Sequence, residues 1–348
     1  MDLAGSPYVL NTSVVVTRGV TLTIEPGVVV QGTAWRELRV LGTLNAIGTM
    51  TQPITFTGSA WLGLVVDSGT ARLRHATIEY ACYSAPTGGG LYTSNILVIN
   101  AGLLDMADST VQHCDYGGGT AEMMVRVLDA RAAIHATTFS DSQWYPFEVA
   151  GASSVITLTD NIITGNALNR IRVEADALMN ADTTLYPQAV WEGYEFRAGF
   201  SVPSTRALTL QPGVIIANMH DAELRVYGRL HASGTTTQPI TLTAASESAV
   251  YGWPGLLFDG PSAAGELQYV NVQTASSNYG NASGMCNSLD ARNVLTHEVH
   301  LAHSQITDFG GWCDNSGLYV ENSHVVVEDT VFASKPNDAQ QALRVIGN

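Results

Sequence analysis

Apolar residues five apart recur along the chain. Leu73 pairs in this way with Ile78, Met106 with Val111, Ile134 with Phe139 and Leu158 with Ile163, and later Leu267 with Val272, Leu301 with Ile306 and Val327 with Phe332. Three residues after the first member stands a small or polar side chain in most cases (Ser109, Thr137, Asn161, Ser304, Thr330), with Ala76 and Val270 as exceptions. Between the pairs lie short runs rich in Val, Ile, Leu and Thr, such as Val14–Val16, Thr21–Ile24, Leu38–Leu44 and Ile54–Thr57. Gly, Asn, Asp and Pro punctuate them, the pattern of short strands joined by tight turns. Successive pairs begin 24 to 34 residues apart with no helical period between them, which excludes a doubly wound sheet. The pattern predicts an all-β parallel β-helix (solenoid) of about 15 coils, each strand stacking on its counterpart about 4.8 Å along the axis. Inward side chains then form apolar ladders, and the small or polar residue forms a ladder of its own at a corner. Two β-sandwiches or a propeller are the competing all-β arrangements; they explain the five-residue pairs less well.

A longer repeat is superimposed on the short one. ELRVLGTLNAIGTMTQPITFT at 37–57 returns as ELRVYGRLHASGTTTQPITLT at 223–243, identical at 15 of 21 positions. Leu22–Gly27 maps onto Leu208–Gly213 at the same offset, and Trp61-Leu62-Gly63-Leu64 onto Trp253-Pro254-Gly255-Leu256 after six extra residues. The chain is an internal duplication, with blocks 1–185 and 186–348 expected to be continuous in one solenoid. Residues that recur belong to the scaffold; residues present in one copy are the candidates for chemistry.

Composition narrows the function. Apolar residues are 45% and charged residues 14%, and 33 glycines accompany many Thr and Val, as β structure with frequent turns requires. The net charge of −15 argues against nucleic-acid binding, which needs cationic surface. No apolar run approaches the roughly 18 residues of a membrane span. Four cysteines fall as one pair per copy, Cys82 with Cys114 and Cys286 with Cys313. Spacings close to one coil predict a bridge between neighbouring loops in each copy and hence an oxidising, extracellular compartment; four free thiols are the alternative.

The strings TLTIEPGVVV (21–30), LRVLGTLNAIGT (38–49), TQPITFT (51–57), WLGLVV (61–66) and ATIEYA (76–81) resemble bacterial secreted or surface-displayed right-handed parallel β-helix proteins of the pectin-lyase-like superfold. The resemblance spans about 1–165 and 194–345. It implies a right-handed solenoid, a secreted or cell-surface location, and a role that is mostly adhesive or structural. Some members of that superfold are lyases, hydrolases or epimerases acting on polysaccharides, which gives a test. The chain has a single lysine, Lys335, and lacks the Asp-Asp pair, the Gly-His-Gly turn and the Asp-Pro-His-Glu string of those enzymes.

Candidate ligand residues remain. Trp144, Tyr145 and Glu148, with Arg126 and Asp141 nearby, form the best local set, because aromatic faces stack on pyranose rings and acids and amides pair with hydroxyls. Charged groups on the outer face of neighbouring coils, here Arg126, Asp129, Arg131 and His135, otherwise make a solvated ladder. Trp35, Trp191 and Trp312 also lack counterparts, whereas Trp61 and Trp253 recur and are expected to pack. His113, Asp115 and Tyr116 before the triglycine 117–119 are matched by Asp308 and Phe309 before Gly310-Gly311, which reads as a turn. Acidic loops at Asp105, Asp108, Asp182, Asp259 and Asp314 offer oxygen ligands for Ca²⁺, but without an Asp-rich loop signature no metal or cofactor is assigned. The functional expectation is a non-catalytic extracellular or cell-surface rod, structural or adhesin-like, whose open ends invite self-association. A carbohydrate-binding module, and a polysaccharide lyase or glycoside hydrolase, are the alternatives, with polysaccharide or a cell-surface glycan as the partner.

Overall fold

A computed structural model describes residues 1–82, 94–114, 123–175, 177–197, 199–219, 222–245, 252–275, 287–309, 316–334 and 341–346. Among them the chain is all-β, with one short 3₁₀ turn at Leu3–Gly5. No helix is long and apolar enough to cross a membrane. The backbone divides into two compact units, residues 1–172 with 188–192, and residues 173–187 with 193–348.

Each unit is a parallel β-solenoid with three faces. In the first unit a 7-stranded face begins Tyr8–Leu10, Val29–Gly32, Ile54–Gly58, Ala76–Glu79. A second face runs Val14–Val16, Glu37–Val40, Gly63–Asp67, Ser94–Ile99, Met123–Leu128, Tyr145–Ala150, and a 6-stranded third runs from Thr21–Ile24 to Val155–Thr159. In the second unit the second face runs Phe200–Val202, Leu224–Val226, Leu256–Asp259, Leu289–Arg292, Ser316–Glu321, Gln341–Ile346, and the third runs from Thr183–Leu185 to Val325–Glu328, six strands each. The coils are fewer than the expected 15 because they are longer. Leu64 stacks on Ile96 and Leu256 on Leu289, partners 32 and 33 residues apart.

The core is a set of aliphatic ladders. Val16, Val40, Val66, Val98, Val127 and Val149 stack in register through one face. None of the six is more than 4% exposed. A β-branched side chain keeps one rotamer on a pleated strand, so identical residues nest along the axis at little entropic cost.

The five-residue pairs straddle the corner between third and first faces. Met106 lies on Leu103–Ala107 and Val111 on Thr110–Cys114, both inward. The chain turns between them through one left-handed residue, Asp108 at φ 50°, with His75, Ala136 and Asp160 at the same place on other coils. The next residue satisfies the backbone that the turn exposes. Ser109 Oγ accepts from Ala76 N (3.1 Å), Asn161 Oδ1 from Thr137 N (3.0 Å) and Ser304 Oγ from Val270 N (3.0 Å). The expected polar corner ladder is therefore a column of backbone caps.

The duplication is also structural. Gly42 and Gly228 each sit where a Cβ would come within 2.3 and 2.2 Å of a carbonyl oxygen of the preceding coil, so both copies require glycine there. Trp61 and Trp253 are both 0% exposed, and their Nε1–H groups donate to the carbonyls of Glu79 (3.0 Å) and Gln273 (2.8 Å). Cys82 and Cys114 form a disulfide between adjacent coils, their Cα atoms 5.4 Å apart. Cys286 and Cys313 lie outside the described residues.

Candidate functional site

The outer side of the second face carries the charge in both units. Parallel stacking places every outward residue above its counterpart on the next coil, so side chains 22 to 33 residues apart become neighbours. In the first unit Arg39 bridges Glu37 on its own strand (2.7 Å) and Asp67 on the next (2.6 Å). Burial pushes the Asp67 carboxyl up, but hydrogen bonds from Asn100, Arg39 and Ser68 outweigh it and hold the pKa below the usual aspartate value. The repeat reproduces the strand-internal pair, with Arg225 Nη2 on Glu223 Oε2 at 2.5 Å.

Further along that face lie the residues singled out in sequence. Arg126 and Glu148 are ladder partners on adjacent strands. The Glu148 carboxylate, only 3% exposed, is held between Arg126 Nε (2.6 Å) and Arg172 Nε (3.3 Å). Tyr145 is 2% exposed, on the same side of its strand as the core residue Phe147, with the Arg172 guanidinium 5.8 Å from its ring centroid. Trp144 is 40% exposed and meets Tyr145 edge-on at 5.6 Å. Asp141 stands on the first face, exposed and at φ 62°, away from the other four. The structure thus joins Arg126, Tyr145 and Glu148 with Arg172 into a packed ionic cluster, leaves Trp144 at its edge, and sets Asp141 apart. Trp35 and Trp191 are half-buried. Asp115, Tyr116, the glycines 117–119, Gly310, Gly311, Trp312 and Asp314 lie outside the described residues. His113 stacks on Tyr80 with centroids 4.6 Å apart.

The second unit carries a different set on the equivalent face. Asp290 is 2% exposed and accepts a hydrogen bond from Asn287 Nδ2 (2.9 Å), with Arg292 Nη2 at 3.7 Å. Burial pushes its carboxyl up to about 6 against the opposing charge of Arg292. Arg292 and Arg344 approach the ring of Tyr319, with guanidinium carbons 4.8 and 5.8 Å from its centroid, and Tyr319 Oη donates to Glu321 Oε2 (3.2 Å).

A third feature was not singled out in the sequence. On the third face of the second unit a groove of about 540 Å³ is lined by Arg229, His231, Glu266, His297, Glu298, His300 and His324. His231, Glu266 and His300 are successive rungs of one outward ladder. His231 Nδ1 lies 3.3 Å from Glu266 Oε2, and His300 Nε2 lies 3.5 Å from Glu328 Oε2. The corresponding rungs of the first unit are Asn45, Arg72 and Asp105. Aligning the copies coil by coil would have found it, because only one copy has imidazoles there. No cluster of three or more metal-ligating side chains exists among the described residues.

Comparison with known protein families, with curated proteins and with solved structures finds no match to this chain.

Proposed function

We propose that the chain is a secreted, non-catalytic β-helix scaffold that joins a second copy of itself through the surface around Leu343 and Val345. The observation that carries this reading is the exposure of an inward ladder. Leu343 and Val345 continue the column below Leu318 and Val320, yet are 53% and 63% exposed. Val327, beneath Leu301, is 40% exposed. The equivalent residues in the first unit, Phe147, Val149 and Ile134, are all within 1% of full burial. There Ile134 carries Leu158 of a further coil. What this surface fits is a coil of the chain's own pattern, and among the described residues Gln341–Ile346 pairs with Ser316–Glu321 alone and ends its sheet, an edge onto which another strand can add.

The first coil keeps its inward residues covered, although Leu3, Val9, Val15 and Val20 around them are 46%, 47%, 45% and 50% exposed. In the first coil Leu10, Val16 and Ile24 are 3%, 4% and 1% exposed. The segment before them is tied down, Met1 N donating to Thr23 O (2.8 Å) and Glu25 N to Met1 O (3.0 Å). The join pairs the Leu343 and Val345 surface of one copy with that of a second, an isologous contact that closes at two copies.

Secretion is supported by the Cys82–Cys114 disulfide. A non-catalytic role is supported by the pairing of the outer-face charges. Glu148 with Arg126 and Arg172, and Glu223 with Arg225, spend their charges on each other. Sedimentation equilibrium up to about 100 µM tests the reading, a range that a modest interface would populate. Dimer is expected for the natural chain and monomer for the Leu343→Lys, Val345→Lys variant with unchanged far-ultraviolet circular dichroism. A natural chain that stays monomeric throughout overturns it.

A further inference from the structure

The imidazoles on the third face of the second unit stand where the scaffold does not need them. The first unit builds the same three rungs from Asn45, Arg72 and Asp105 and keeps the same aliphatic ladder beneath. The groove also has a wall that the neighbouring coil lacks. The inward residues Ala291 and Val299 on either side of the turn are eight apart, against five for Val320 and Val325 on the next coil. The extra residues raise Thr296, His297 and Glu298 over the floor. Thr296 Oγ1 donates to the carbonyl of Pro261, which pins the raised turn to the preceding coil.

We propose that this groove binds a sulfated saccharide, and that it does so only when its histidines are protonated. Histidine is the side chain whose charge ordinarily changes between pH 5 and 8. The groups facing the four imidazoles are Arg229 from Arg229–Ser233, Glu266 from Ala264–Gln268, Glu298 beside Val299–Ala302, and Glu328 from Val325–Glu328. With neutral imidazoles, three carboxylates face one guanidinium and the groove repels anions. Four protonated imidazoles reverse that balance and leave the groove cationic on a chain whose net charge is −15.

The lining also selects the ligand class. Glu266 and Glu298 offer no favourable contact to a bare inorganic anion, whereas their carboxylates accept hydrogen bonds from sugar hydroxyls. A sulfate ester keeps its charge at the acid pH that protonates imidazole, and its oxygens accept from several donors at once. Arg229, His297 and His324 supply donors from different coils of the groove. The volume of about 540 Å³ suits a ligand of a few sugar rings.

Calorimetric titration of the full chain with a sulfated disaccharide at pH 5.5 and 7.5 tests this. Affinity should be at least about tenfold higher at pH 5.5. The advantage should vanish in the His297→Gln, His324→Gln variant, in which both exposed side chains are changed and the core is untouched. Equal affinity at the two pH values, no binding at either, or full affinity in the variant would overturn the proposal. Inorganic sulfate should show no saturable binding, and an unsulfated uronate disaccharide should bind weakly. Either one matching the sulfated sugar would contradict the assigned ligand class.

Discussion

The two third faces share a backbone register and an aliphatic ladder and differ almost completely in what they show to solvent. One presents Asn45, Arg72, Asp105 and Ala133 in a column, the other His231, Glu266, His300 and Val326. The inward columns beneath, Ala46-Leu73-Met106-Ile134 and Ala232-Leu267-Leu301-Val327, are nearly interchangeable. A coil tolerates any polar outward residue while its inward neighbours stack, so duplication leaves one side of the strand under packing control and frees the other. What the copies share reports on stability, and what they do not share is where chemistry can be added.

The strongest way to break that comparison is to remove a shared residue. Trp61→Ala and Trp253→Ala should each cost about 3–5 kcal/mol, because each empties a fully buried site and orphans the carbonyl of Glu79 or Gln273. Equilibrium unfolding should show similar losses for the two. A loss in one copy only would mean that the repeat is not structurally equivalent.

Next in size is the bridge. Reducing Cys82–Cys114 should lower stability by about 3.7 kcal/mol, the loop-entropy value for its separation of 32 residues. Non-reducing peptide mapping should recover Cys286 joined to Cys313, the counterpart that the duplication predicts. A free Cys286 thiol would make the disulfide a property of one copy.

A smaller effect sharpens the contrast between the second faces. Asp290 occupies the rung equivalent to the apolar Leu97, so a carboxyl is buried where the first unit has a hydrocarbon. Its folded pKa of about 6 lies above the ordinary aspartate value of 3.8. Stability from the protonated group is thus complete below 3.8 and is lost as pH rises through about 6. Asp290→Asn mimics the protonated form and keeps an oxygen for Asn287. Its melting temperature should exceed that of the natural chain at pH 7.5, by the equivalent of up to about 3 kcal/mol, the attraction to Arg292 being already contained in the raised value. The gap should close on acidification to pH 4. A constant gap would place the effect elsewhere than in ionisation.

These contrasts also show what the sequence could disclose. The solenoid was legible because its determinants are local: the five-residue spacing spans one corner, and Ser109, Asn161 and Ser304 cap the turn beside them. The number of coils was harder to read, since connections such as 293–298 lengthen a coil without altering its ladders. Arg126, Tyr145 and Glu148 are neighbours in space because they lie on adjacent strands. Asp141, equally near in sequence, turned onto another face at its left-handed φ. Arg172 and the histidine groove escaped because their members come from coils 22 to 35 residues apart, and only the stacking register makes them neighbours.

Hydrogen exchange of the strand Gln341–Ile346 as protein concentration rises tests the central claim most directly. In an isolated chain the amides of that strand that point away from Ser316–Glu321 face solvent, beside exposed Leu343 and Val345. Coil-on-coil joining predicts that they become protected at high concentration while Val14–Val16 in the first unit is unchanged. Exchange of Gln341–Ile346 that is fast and independent of concentration would contradict it.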